Sequence, residues 1–74
     1  MSRLIRLDRR GHTTLAEWTV GDTAAERRAI EAFERELEGG MLASVTRPGG
    51  NGEVVRELPL DAELVILRRP IAGG

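Results

Sequence analysis

Apolar residues fall into six short segments along the chain, and their spacing predicts one helix and five strands. Between residues 23 and 38 they recur every three or four positions, which is typical of an amphipathic helix. The other segments are shorter, contain more β-branched residues, and are separated by Gly, Pro or Asp, as expected of strands and turns. We place the strands at residues 3–8, 13–20, 41–46, 53–58 and 64–68.

The helix has recognisable signals at both ends. Its first residues, Thr23-Ala24-Ala25-Glu26, match a capping box, in which the side chains of Thr23 and Glu26 each bond to the other residue's backbone amide. Gly39 and Gly40 follow the last turn, where glycine can take the left-handed conformation that closes a helix. The expected apolar stripe consists of Ala29, Ile30, Phe33 and Leu37.

The first two strands should pair as a hairpin with one face under the helix and the other face open. The residues that we assign to the covered face are Ile5, Leu7, Ala16, Trp18 and Val20, whereas Leu4 and Leu15 are assigned to the open face. Half of the apolar run 64–67 must join the open face. The sequence does not fix which half, and we take Leu64 and Ile66.

An exposed aliphatic cluster on a small protein is more often an interaction site than an accident. We therefore expect Leu4, Leu15, Leu64 and Ile66 to form a partner-binding patch. The alternative is that a second copy of the chain covers it.

The order of the elements predicts the fold class. Four successive apolar residues, Leu64-Val65-Ile66-Leu67, predict a central strand with neighbours on both edges. One amphipathic helix can cover one face of one sheet, so the expected fold is a two-layer α+β domain in the order ββαβββ with a mixed sheet. Residues 1–69 should form this domain, and residues 70–74 an extended tail.

Composition argues against several classes of function. The chain has 74 residues, no cysteine and one histidine, His12, so we expect no disulfide, no metal and no cofactor. A net charge of -1 and only two aromatic residues argue against nucleic acid. No apolar run approaches the ~20 residues of a membrane span and no signal-peptide pattern is present, so the expected location is cytoplasmic. Ser2 and Ser44 have no evident base partner, and we do not expect an enzyme.

All eleven basic residues are arginines. Codon usage in a GC-rich genome is one explanation. The other is a protein that amine-acylating enzymes handle and that must not become acylated itself. In either case the only amine expected on this chain is at Met1.

The last six residues form a distinctive segment, Arg69-Pro70-Ile71-Ala72-Gly73-Gly74, directly after the most apolar run. Glycine has no Cβ, so its backbone can pass through a narrow slot with its carbonyl open to attack. Fully extended, six residues span about 20 Å, which is enough to carry a carboxylate away from a globular domain.

The element order, the length and the Gly-Gly ending together resemble the β-grasp family of ubiquitin and its relatives, in particular bacterial modifiers and sulfur carriers. The stretch 64–68 is similar to the last strand of ubiquitin, and Pro70-Ile71-Ala72-Gly73-Gly74 is similar to the tails of the sulfur carriers of molybdopterin and thiamine synthesis. The resemblance implies that an activating enzyme adenylates Gly74, that Gly73 is its required neighbour, and that the preceding residues are recognised. These are Arg68, Arg69, Pro70, Ile71 and Ala72.

By this resemblance the chain is a protein modifier that is joined to a target amine, with a transfer enzyme and a deconjugating protease as further partners. A thiocarboxylate sulfur carrier for cofactor synthesis needs the same tail and remains an alternative. A second alternative is a non-conjugated adaptor that binds partners through its open face. The sequence leaves open whether Gly74 is the encoded end or is exposed by processing.

Three features depart from the family pattern. The absence of lysine excludes the lysine-linked polymers that ubiquitin forms. Ala72 stands immediately before Gly73, where ubiquitin has an arginine. The loop at residues 47–52 matches no part of the family.

Overall fold

The computed structural model describes residues 1–46 and 52–70, and within them it has five strands and one helix. In chain order these are β1 (Ser2–Asp8), β2 (Gly11–Trp18), α1 (Thr23–Glu38), β3 (Leu42–Thr46), β4 (Gly52–Val55) and β5 (Leu64–Arg68). The predicted α+β class and the order ββαβββ are confirmed. Only β5 has the predicted bounds: β1 and β3 each differ by one residue at the start, β2 lies two residues closer to the hairpin turn, and β4 starts one residue earlier and ends three residues earlier.

The strands form one mixed sheet in the order β2-β1-β5-β3-β4. β1 and β2 pair as the predicted antiparallel hairpin. β5 is the central strand, parallel to β1 on one side and antiparallel to β3 on the other. Val65 and Leu67 of β5 are buried in the core, and Ile66 lies beside Ile5 on the other face, so most of the apolar run is shielded from water.

The start of α1 differs by one residue from the prediction. Asp22, not Thr23, is the N-cap, and its Oδ1 accepts a hydrogen bond from the Ala25 amide at 3.2 Å. Glu26 does reach back, but its Oε2 accepts from the Gly21 amide at 3.0 Å. Asp and Thr both favour the N-cap position, and because the sequence places them side by side, the pattern alone did not distinguish them.

The end of α1 is closed by the two glycines, as predicted. The Gly40 amide donates to the Leu37 carbonyl and the Met41 amide donates to the Glu36 carbonyl, both at 3.0 Å. This pair of bonds is a Schellman motif, which requires a left-handed residue after the cap. Gly40 supplies it, with φ of 96°.

A single core lies between the helix and one face of the sheet. Every strand except the edge strand β4 contributes at least one buried side chain, and the buried cluster consists of Leu4, Trp18, Ala29, Phe33, Ala43, Val45, Val65 and Leu67. Of the predicted helical stripe, Ala29 and Phe33 are buried, Leu37 packs against the cluster, and Ile30 is only half-buried. The indole Nε1 of Trp18 donates to the Leu60 carbonyl at 3.0 Å, so the end of β2 is fixed to the segment that precedes β5.

The prediction of which face of β1 lies under the helix is wrong. Leu4 is fully buried in the core, whereas Leu7, which was expected there, is 42% exposed. The register explains the reversal, because Leu4 lies opposite Ala16 and therefore shares the helix side with that residue. A shift of one residue moves every side chain of a strand to the other face.

Two further assignments in the second strand change with this register. Leu15 was expected on the open face but packs against the core, at a bulge where the pairing shifts between Leu4 and Ile5. A bulge lets two successive side chains face the same way, so Leu15 joins Ala16. Val20 lies beyond the end of β2 and is 61% exposed instead of covered.

Substitution of Phe33 tests the packing of the helix on the sheet. Phe33→Ala should lower the free energy of unfolding by about 3–5 kcal/mol, because it removes a buried aromatic ring and leaves a cavity. That loss approaches the whole stability expected of so small a core, which is about 3–5 kcal/mol. Urea denaturation followed by Trp18 fluorescence measures it. Val20→Ala, at an exposed position, is the control, and a loss below about 1 kcal/mol for Phe33→Ala would contradict the described core.

Candidate functional site

The predicted functional segment begins where the central strand ends. β5 ends at Arg68, which lies opposite Leu42 of β3. Arg69 and Pro70 follow it, and the remaining residues of the segment, Ile71, Ala72, Gly73 and Gly74, lie outside the described residues. Because β5 is bonded to a strand on each side, the point at which the chain leaves the sheet is held by β1 and β3 together.

The face of the sheet away from the helix carries an apolar surface, which we call the open-face cluster. Its members alternate along their strands with the buried residues and belong to four of the five strands: Ile5, Leu7, Leu42, Val54, Leu64 and Ile66. Ile5 and Ile66 are direct neighbours across β1 and β5. Ile5 is 8% exposed although it faces away from the helix, so the centre of this cluster is already well packed.

Arginines border the open-face cluster at both ends of β5. Arg3 lies opposite Leu64, and Arg68 lies opposite Leu42. Both arginines are exposed. The surface therefore combines an aliphatic centre with positively charged ends.

Two of the four residues of the predicted partner-binding patch lie on the open face, and whether this surface binds a partner stays a prediction. Leu64 and Ile66 lie on the open face, as we assumed. Leu4 and Leu15 lie on the helix side, and Ile5 and Leu7 take their place.

The hairpin turn fixes the register of the second half of β1 against the first half of β2. A two-residue turn at Arg9-Arg10 puts Asp8 opposite Gly11. Counting back from that pair places Ile5 opposite Thr14 and Leu7 opposite His12, as observed. The same count places Arg6 opposite Thr13 on the helix side, so both faces of this half of the hairpin carry polar partners and the register alone does not assign the faces.

A second surface feature lies at the end of the sheet from which the chain leaves. An open groove of about 1060 Å³ runs between the β1–β2 turn, the last residues of α1 and the Arg69-Pro70 segment. Two residues that line the groove form an ion pair, in which Arg6 Nη1 and Glu36 Oε1 are 3.1 Å apart. The turn itself is fixed by Asp8 Oδ1, which accepts from the Arg10 amide at 2.8 Å. We call this feature the hairpin groove.

The described part of the chain offers little other chemistry. Residues 1–46 and 52–70 contain no group of three or more His, Asp or Glu side chains arranged to hold a metal ion. Within the same residues no helix is both long enough and apolar enough to span a membrane. The conformation of the glycine-rich loop around 47–51 lies outside the described residues.

Comparison of the chain with family models, with curated proteins and with solved structures finds no match. The function of this chain is therefore inferred from its own sequence and fold.

A pair of matched substitutions in β1 tests the two faces of the sheet. Leu4→Asp should leave the protein largely unfolded, because a buried, unpaired carboxylate costs several kcal/mol against a total stability of about 3–5 kcal/mol. Leu7→Asp makes the same chemical change in the same strand on the open face, and should cost less than about 1 kcal/mol. Thermal denaturation followed by circular dichroism distinguishes the two variants. Equal losses of stability, or a more stable Leu4→Asp protein, would refute the described register.

Proposed function

We propose that this chain is a ubiquitin-like modifier with a β-grasp fold. Its Gly74 carboxylate, either encoded as the end or exposed by cleavage, is adenylated by an ATP-dependent activating enzyme and then joined to an amine of a target protein. The observation that carries the proposal is the sheet order β2-β1-β5-β3-β4, in which the parallel β1–β5 pair puts the last strand at the centre. That strand leads directly into the segment Arg69-Pro70-Ile71-Ala72-Gly73-Gly74.

The central position of β5 suits a chain end that another protein must grasp. The base of the tail is held by pairing to β1 and β3, so an enzyme that binds the domain also fixes where the tail begins. From that base, the six residues after Arg68 reach about 20 Å when extended. An enzyme can thus bind the folded domain on one surface and receive the carboxylate in a separate, enclosed site.

The chemistry requires the residue types present in the tail. In the first step a carboxylate oxygen of Gly74 attacks the α-phosphate of ATP and pyrophosphate leaves, which gives an acyl adenylate. An enzyme thiol then displaces AMP, and the target amine displaces the thiol to form an amide. Each displacement needs open approach to the terminal carbonyl, which glycine allows because it has no Cβ.

The open-face cluster is the proposed docking surface for the activating or transfer enzyme. It is an aliphatic surface on a small domain, with Ser44 between its β5 and β4 members, and exposed apolar surfaces on small proteins often bind partners. Leu64 and Ile66 belong to β5 itself, so the docking surface and the base of the tail share one strand. Enzyme binding at the cluster would hold the tail in a fixed direction.

Deletion of Gly74 tests the proposed activation. The variant should lose at least about 100-fold in kcat/KM for ATP–pyrophosphate exchange with the cognate activating enzyme, because its carboxylate lies roughly 3.5 Å short and an error of about 1 Å can cost that much. Gly73→Ala should also slow exchange, since the added Cβ narrows the approach to the carbonyl. Mass spectrometry of the product then separates a conjugate lighter by one water from a terminal thiocarboxylate, which would identify a sulfur carrier instead.

Gly52→Ala is the matched control for the glycine substitutions. Among the described residues, the added Cβ at this position would approach the Val45 carbonyl oxygen alone, at 4.0 Å, so fold and exchange should both be unchanged. If the protein without Gly74 supported exchange as well as the intact chain, the tail would have no role in activation. The adaptor interpretation would then replace the modifier.

A further inference from the structure

The hairpin groove has a basic rim and an apolar floor. The rim contains four arginines and two carboxylates, and the floor is made by Met41 and Pro70. Leu7 also borders the groove, but its side chain belongs to the open-face cluster on the other side of the sheet. The arginines are Arg6, Arg9, Arg10 and Arg69. This surplus of positive charge is local, because the whole chain has a net charge of -1.

Both carboxylates of the groove are already engaged. Glu36 pairs with Arg6 at 3.1 Å, and Asp8 accepts from the backbone amide of Arg10 at 2.8 Å. Within the described residues, no hydrogen bond or ion pair reaches the guanidinium groups of Arg9, Arg10 and Arg69. Three cations at one rim are therefore available to a ligand.

The C-terminal end of α1 also lines the groove. Its partial negative charge would repel an anion and so opposes the attraction by the arginines. The carbonyls of Arg35, Glu36 and Leu37 accept from the amides of Gly39, Met41 and Gly40 respectively. Since the carbonyls of the last turn are satisfied in this way, they repel an anion less than free carbonyls would. Arg9, Arg10 and Arg69 are exposed, so a ligand at the rim meets their positive charge.

We propose that the hairpin groove binds an acidic protein segment that also carries an apolar side chain. Its carboxylates would pair with Arg9, Arg10 and Arg69, whose planar guanidinium groups favour bidentate contact with carboxylates. Its apolar side chain would cover the floor formed by Met41 and Pro70. This binding does not depend on the activation of Gly74 proposed above.

A protein segment fits the groove better than a nucleic acid does. Single-stranded nucleic acid binds through a long basic track and exposed aromatic side chains on which bases stack. The two aromatic residues of this chain, Trp18 and Phe33, are both buried in the core. The basic rim is also short and has an apolar floor, which a sugar-phosphate backbone would not use.

The test uses the ¹⁵N-labelled 74-residue chain and a synthetic peptide, Glu-Glu-Leu-Glu-Glu, followed by NMR chemical shifts. The peptide should shift the amides of the β1–β2 turn and of Gly39 to Met41, in a saturable manner. Arg9→Glu combined with Arg10→Glu should weaken binding by about tenfold, since each exposed ion pair contributes modestly and reversal adds repulsion. Raising the salt from about 0.05 M to about 0.5 M should weaken it as well.

Arg27→Glu combined with Arg28→Glu is the matched control. These two arginines are exposed on α1, do not line the groove, and give the same change in net charge. Binding of the peptide to this variant should be unchanged. A glutamine peptide, Gln-Gln-Leu-Gln-Gln, should not bind to the intact protein.

Each other outcome overturns the proposal. Absence of saturable shifts with the acidic peptide would show that the arginines are only solvated. Shifts centred on the open-face cluster would place the binding elsewhere. Equal weakening by both double variants would indicate general charge attraction, and equal shifts with hexathymidylate would favour nucleic acid.

Discussion

The double pairing of β5, parallel to β1 and antiparallel to β3, is the constraint on which the rest of the structure depends. It joins the N-terminal hairpin to the second half of the chain in one sheet. Because a parallel pair needs a crossover, the chain between β2 and β3 must pass over one face, and α1 provides that passage. The same pairing brings the β1–β2 turn, the end of α1 and the end of β5 to one end of the sheet, where the hairpin groove forms.

A bulge in β2 and a hydrogen bond from Trp18 determine how the hairpin packs, which the pairing of β5 alone does not. The bulge opposite Leu4 and Ile5 lets Leu15 and Ala16 both pack against the core, so the edge strand contributes more apolar side chains to it than strict alternation would. The bond from Trp18 to the Leu60 carbonyl attaches the connection before β5 to the hairpin. In a domain with so few buried side chains, such contacts determine which of the competing registers is stable.

The elements and their order were predictable from the sequence, whereas the faces of the hairpin were predicted wrongly. Helical spacing of Ala29 and Phe33 and the glycines after Glu38 placed α1, and the apolar run from Leu64 to Leu67 placed β5 at the centre. In β1, however, Leu4, Ile5 and Leu7 put apolar side chains on both faces, so alternation gave no answer. The faces depend on cross-strand pairs and on a bulge, and a bulge has no clear local signature. The hairpin groove was not predictable either, because its arginines come from separate parts of the chain and meet only through the β1–β5 pairing.

If both proposals hold, there is a physical reason why all basic residues of this chain are arginines and none is lysine. The hairpin groove lies beside Arg69 and Pro70, so any basic side chain on its rim stands near the base of a tail whose carboxylate is activated. A lysine there would present an amine that can lose its proton and attack an acyl adenylate or thioester. Arginine supplies the same positive charge, but its guanidinium stays protonated at all physiological pH values and is a poor nucleophile. A basic docking surface next to an activated carboxylate is therefore chemically safe when it is built from arginine, and Arg6, Arg9, Arg10 and Arg69 meet that condition.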